Sequence, residues 1–236
     1  MSFKIALCDI SKENQKSLKR RILDFDENAE VIYFNDGETL ICAKEQFDAV
    51  FFNFDSDDEA SLDMAVKLRI HKKSTPFVIY STNPKRIGDA SKLRISKVLY
   101  FPIKDEILFE LLRIIKSRAK DNFEYVFPIK DGQRRIRAGN IVYVDGKDPY
   151  RPVIHLTNGE NIAASEIMDQ LVLKLKSDSF IRVHKSYIVS LRYINELCDK
   201  HITMQYTNTN IPVDRKYRNK TKEKFYEEIR SRAVLL

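Results

Sequence analysis

The chain has 236 residues, 43% hydrophobic and 32% charged, with six glycines and seven prolines; the length points to two domains of about 100–150 residues, and the composition excludes a collagen-like, linker-like or disordered chain. Forty-one Lys and Arg against 34 Asp and Glu leave +7, and the excess is uneven: residues 1–118 hold 20 basic and 19 acidic side chains, residues 119–236 hold 21 and 15. The second half is therefore expected to meet an acidic partner, with nucleic acid ahead of a membrane surface because no basic amphipathic anchor or lipidation signal is present.

MSFKIALCDI opens on a short apolar run ending in Asp, without the apolar region and cleavage site of a secretory leader. No apolar run approaches the roughly 20 residues of a membrane span, so no membrane contact is expected. Residues 3–8 read as a buried strand, followed by a helix from Ser11 to Phe25 with Leu18, Ile22 and Phe25 on one face and Ser11 as its cap. VIYF (31–34) is a second strand, and Asp36, Gly37 and Glu38 open a short helix ending near Lys44. DAVFFNF (48–54) is a third strand, apolar on both faces as a central parallel strand should be. A helix over 57–71 carries Leu62, Ala65, Val66 and Leu68. PFVIYS (76–81) is a fourth strand, a polar segment occupies about 84–92, KVLYF (97–101) is a fifth strand, and Asp105 to Arg118 is a helix. Alternating strands and helices predict a doubly wound five-stranded parallel sheet, an α/β fold.

That rhythm stops at 117–125, where a polar stretch reads as linker, with domains at 1–118 and 125–236 and the linker proper at 119–124. The segments beyond it are short and turn-punctuated: YVFPI, RRIRA, IVYVDG, PVIHLTNGE, NIAA, FIRVHKSYIV, HITMQYTNTN and IPV. Asn158-Gly159 predicts a type I′ hairpin. Two helices interrupt the strands, one with Ser165, Met168, Leu171, Val172 and Leu175, the other from Asp214 to about Val234, so the second domain is mostly β. Cys8, Cys42 and Cys198 show neither CxxC nor metal-ligand spacing, which suits a reducing cytoplasm and argues against structural zinc. No cofactor is expected. With no nucleophile–base pair, Gly-rich phosphate loop or metal cluster, a binding protein is expected rather than an enzyme.

FIRVHKSYIVSLRYINEL (180–197), followed by IPVDRKYRNK (211–220) and preceded by IVYVDG (141–146), resembles the LytTR DNA-binding domain over residues 123–236. That family's motif runs Phe-x-Arg-x-His-x-Ser-Tyr-x-Val and ends in Pro-Val-x-Arg-x-Tyr; Ser190 stands where it usually carries Asn. The resemblance implies that loops of a compact β-fold enter successive major grooves of double-stranded promoter DNA, read as two direct-repeat half-sites by a homodimer. Three loops are candidates: Lys147–Arg151, Arg182–Ser186 and Asp214–Arg218. Arg151, Lys185 and Arg215 match or neighbour the contact positions; Tyr150, Lys216, His184 and Ser186 are further candidates. Lys and Arg can donate to guanine or phosphate, and hydroxyls suit phosphate oxygens. His184, Tyr187 and Arg182 have an equal reading as residues that hold the loop.

An α/β domain ahead of such a domain resembles the receiver of a two-component response regulator. In that register CDI (8–10) falls on the acidic pair, DAVFFNFD (48–55) on the phosphoacceptor strand with Asn53 at the acceptor, Ser81 on the switch hydroxyl, and Phe101 on the Lys. An amide is a poor nucleophile toward phosphorus, Ile10 offers magnesium no oxygen, and Phe101 cannot pair with a phosphate, leaving Asp9 and Ser81. Ile10, Asn53 and Phe101 together predict an apolar pocket without metal, in a domain that acts independently of aspartyl phosphorylation. Asp55 lies on the same strand side as Asn53, about 6–7 Å along the strand, and reads as an exposed loop-start acid. Receivers of this kind pair through elements here placed at 84–118. The alternative is an adaptor that pairs with another regulator or kinase as a regulatory protein partner.

Overall fold

The structure is a computed structural model that describes residues 3–55, 59–72, 74–83, 97–175 and 179–233, with backbone alone at 59, 60 and 231–233. The chain divides into two compact units, Met1–Ala119 and Lys120–Leu236.

In the first unit β1 (Lys4–Cys8), α1 (Lys12–Phe25), β2 (Glu30–Phe34), α2 (Gly37–Cys42), β3 (Ala49–Asn53), α3 (Glu59–His71), β4 (Phe77–Ser81), β5 (Lys97–Tyr100) and α4 (Asp105–Asn122) follow in order. Helix α1 starts where predicted because Ser11 Oγ accepts the Asn14 N–H, and α2 starts where Asp36 accepts the Thr39 N–H at 2.7 Å. All pairings in the sheet are parallel, in the order β2-β1-β3-β4-β5. This is the strand order of flavodoxin and CheY, with the ligand crevice at the carboxyl ends of β1 and β3. Alternation along β3 feeds two cores: Ala49 and Phe51 pack with Leu18, Ile22, Leu108 and Leu112, whereas Val50 and Phe52 pack with Leu40, Leu68 and Phe77. The polar segment expected at 84–92 lies outside the described residues, as does part of the pairing face expected at 84–118.

The segment expected as a linker is structured. Helix α4 continues past Arg118 to Asn122, and β6 begins at Glu124. The stretch is polar but contains neither Gly nor Pro, and Arg118, Ala119 and Lys120 are good helix formers, so polarity alone did not stop the helix.

The second unit carries β6 (Glu124–Ile129), β7 (Gly132–Arg137), β8 (Ile141–Asp145), β9 (Val153–Leu156), β10 (Asn161–Ala163), α5 (Met168–Lys174), β11 (Phe180–His184), β12 (Tyr187–Ser190), β13 (Ile194–Leu197), β14 (His201–Met204), β15 (Asn210–Pro212) and α6 (Arg218–Ala233). Its antiparallel sheet has the order β10-β9-β8-β12-β11, beside a three-stranded β13-β14-β15 sheet and the β6–β7 hairpin. Strand β13 was not anticipated: Asn195 and Glu196 are exposed, and its ladder is interrupted between Ile194 and Glu196, which blurs the alternating pattern. The last helix begins at Arg218 rather than Asp214, after a 3-10 turn over Arg215–Tyr217.

The hairpin at Asn158-Gly159 is present with a different turn. Gly159 alone takes a positive φ, 82°, and the loop spans four residues. Asn158 builds the turn with its side chain instead, accepting the Glu160 N–H at 3.0 Å.

Candidate functional site

The site forms around a two-residue turn, Lys185-Ser186, between β11 and β12. The ladder shifts between Arg182 and His184, and the Val183 carbonyl at this irregularity accepts the Asp214 N–H at 2.9 Å. His184 Nδ1 accepts the Ser186 N–H at 3.1 Å, which fixes the proton of the neutral ring on Nε2, 3.6 Å from Asp214 Oδ1. The Ser186 carbonyl accepts the Gly146 N–H at 2.7 Å. Main-chain bonds thus join Val183, in the strand that leads into the turn, to the start of the Asp214–Arg218 loop, and Ser186, in the turn, to Gly146, the residue just before the Lys147–Arg151 loop.

The loop after β8 shapes itself. Asp145 accepts the Lys147 N–H at 2.9 Å, and Asp148 accepts the Tyr150 N–H at 3.0 Å, two successive Asx turns. The Met168 N–H donates to the Pro149 carbonyl at 3.1 Å, tying the loop to α5. Gly146 makes the close approach possible: a Cβ there would lie 2.7 Å from Met168 Sδ and 3.4 Å from the Ser186 carbonyl oxygen. Tyr187 Oη and then the Asp145 carboxylate beside Lys147 push the ammonium pKa of Lys147 up.

Arg151, Lys185 and Arg215 are exposed, with no ion pair among the described residues. Tyr150 is 76% exposed, Lys216 is exposed with its ammonium 4.7 Å from the Tyr217 ring centre, and His184 and Ser186 are half-buried. The predicted loop residues therefore separate into an outward cationic and aromatic set and an inward set led by His184. Arg182 belongs to the second set. Arg134, by contrast, pairs with Glu160 at 3.0 Å beside the β9–β10 turn, the sheet end opposite the Asp145–Tyr187 pairing.

At the carboxyl end of the parallel sheet, the expected apolar pocket is replaced by a hydrogen-bonded polar cluster. Asp9 is buried; its Oδ2 accepts the Tyr80 hydroxyl at 2.7 Å and its Oδ1 the Ser11 N–H at 2.8 Å. Phe101 does turn inward, its ring 5.7 Å from Tyr80 and edge-on. Ile10 does not line a pocket; it is 84% exposed. Asp55 is not a free surface acid either. Its Oδ1 accepts the Ser81 hydroxyl at 2.7 Å and the Thr82 N–H at 2.6 Å, and its Oδ2 accepts from the Asn53 amide at 3.0 Å. A loop residue just past the strand can turn its side chain back, which strand spacing does not foresee. Among the described residues no group of three or more His, Cys, Asp or Glu is placed to hold a metal ion, and the Asp9 and Asp55 oxygens are engaged in hydrogen bonds within the protein.

Partial burial works to raise the Asp55 pKa, but the donors Ser81, Asn53 and Thr82 outweigh it and hold the carboxyl below its ordinary 3.8. A depressed folded-state pKa stabilises the fold above the unfolded value and loses that contribution as pH falls through the folded one. Exchange protection of the Thr82 amide is expected to decline as pH drops below about 3.8, and Asp55→Asn to remove that part of the pH response. An unchanged profile in the variant would contradict the assignment.

Residues 131–226 match the family described as LytTr DNA-binding domain. Among curated relatives, the transcriptional regulatory protein LytR of Staphylococcus aureus (strain N315) is 21% identical over 168 residues, 64% of this chain and 68% of its own length. The sensory transduction protein LytT of Bacillus subtilis (strain 168) is 24% identical over 212 residues, 80% of this chain and 86% of its own. Among solved structures, Vibrio cholerae chemotaxis protein CheY4 is similar at 18% identity and a TM-score of 0.42, covering 49% of this chain and 99% of that one. No helix among the described residues is long and apolar enough to cross a membrane. The chain is a five-stranded parallel α/β unit followed by a mostly β unit, most of which matches the LytTr DNA-binding domain.

Proposed function

We propose that this protein is a sequence-specific transcription regulator of response-regulator type, with a receiver-like domain at 1–118 and a DNA-reading domain at 125–236. The observation that carries the reading is the pair of main-chain bonds, Asp214 to Val183 and Gly146 to Ser186, that joins the three loop regions, with Arg151, Lys185 and Arg215 exposed on a unit that matches the LytTr DNA-binding domain. Arg151, Lys185 and Arg215 contact bases or phosphates, Tyr150, Ser186 and Lys216 flank them, and His184 holds the turn. In this reading the protein acts as a homodimer on two direct-repeat half-sites. Capture of genomic fragments by the purified protein tests it: enrichment of promoter fragments, with affinity falling steeply as salt rises, is expected. Recovery without sequence preference would overturn it.

The first unit acts without aspartyl phosphorylation in this reading. Asn53 supplies no carboxylate, and the nearby Asp55 is held by Ser81, Thr82 and Asn53. Incubation with acetyl phosphate and magnesium is expected to leave mass and DNA affinity unchanged; a stoichiometric phosphate adduct would refute this.

A further inference from the structure

We infer that Arg182 is a positioning residue for DNA reading, a proposal that rests on the DNA-binding function above. All three of its guanidinium nitrogens are used within the protein. Nη2 donates to the Lys185 carbonyl at 2.6 Å, Nε to the His184 carbonyl at 3.3 Å, and Nη1 to Asp169 Oδ1 at 2.9 Å. The side chain is only 25% exposed, whereas Asp169 is 77% exposed. The surface ion pair is accordingly the weaker part, and the fork onto two successive carbonyls is the specific one.

With the Ser186 carbonyl taken by Gly146, the carbonyls of residues 184, 185 and 186 are all engaged. A turn so fastened has little backbone freedom left, so the main chain that carries Lys185 is already ordered before it meets DNA and only the side chain remains to be fixed. Lys at position 182 would keep the charge but, as a point donor on a flexible stem, could not span the two carbonyls and Asp169 together.

The test uses a genomic duplex captured by the full-length protein and a random duplex of equal length. Arg182→Lys is expected to weaken the captured duplex by about tenfold, to leave the random duplex and the salt slope unchanged, and to add little when combined with Lys185→Ala. Wild-type affinity in Arg182→Lys, a slope reduced by about one in Arg182→Ala, or additive losses in the double variant would each overturn the positioning role. Amide exchange in the free protein provides a readout that does not involve DNA: Ser186 and Gly146 are expected to exchange faster in Arg182→Lys, while the melting transition persists. Unchanged exchange would overturn the hold on the turn. Absence of preferential DNA binding in the unmodified protein would instead overturn the DNA-reading function, leaving the exchange result to decide the structural part.

Discussion

Lys185→Ala is expected to weaken binding to a captured promoter duplex by about 1–3 kcal/mol if the ammonium reads a base, with relaxed preference at one position. If it meets a phosphate instead, the loss is uniform across sequences and the slope of log affinity against log salt falls by about one. Arg215→Ala is expected to behave in the same way, at another position of the site. Both side chains are exposed and without an ion pair among the described residues, so neither truncation should disturb the fold. A salt titration on captured and random duplexes separates the two modes. Wild-type affinity and slope in both variants would remove these loops from the interface.

Phe127→Ala is expected to cost the second unit about 3–5 kcal/mol, the ordinary price of removing a fully buried aromatic side chain. Phe127 has no solvent exposure and packs in the core that includes Ile141, Val144, Ile154 and Ile188. The Tyr125 ring lies 6.0 Å away and the Lys174 ammonium 5.2 Å from its own ring centre. Strands β8 and β12, which carry the Gly146 and Ser186 ends of the site, line this same core, so DNA binding should fail at a lower denaturant concentration. Chemical denaturation followed on the second unit measures the change. A cost below about 1 kcal/mol would mean that the surrounding side chains close the gap.

The parallel sheet was legible because its central strands β1, β3 and β4 are apolar on both faces and helices α1 and α4 carry one apolar stripe, and both patterns reflect burial directly. The loops between the predicted strands were legible as turns, but not the bonds that fasten them. Nothing local to Val183 announces that its carbonyl will serve Asp214, or local to Gly146 that its N–H will reach Ser186, since these bonds join segments about thirty and forty residues apart. A close backbone approach at Gly146 was nevertheless a readable signal, because a glycine ends the predicted segment IVYVDG. Arg182 was ambiguous for a related reason: charge and motif position are the same for a cation that faces DNA and one that serves carbonyls. In the first unit, Asn53 and Phe101 could be placed by motif, whereas the return of the Asp55 side chain to Ser81 depends on loop geometry that no strand period contains.

The loop ends at Gly146, Ser186, Val183 and Asp214 are joined through main-chain atoms, not through the side chains that face outward. The frame is therefore indifferent to what stands at positions 151, 185 and 215. New binding sites could be acquired one substitution at a time, each retuning recognition without first rebuilding the scaffold. Divergence among paralogues would then concentrate at these three positions, while the glycine at 146 stays fixed.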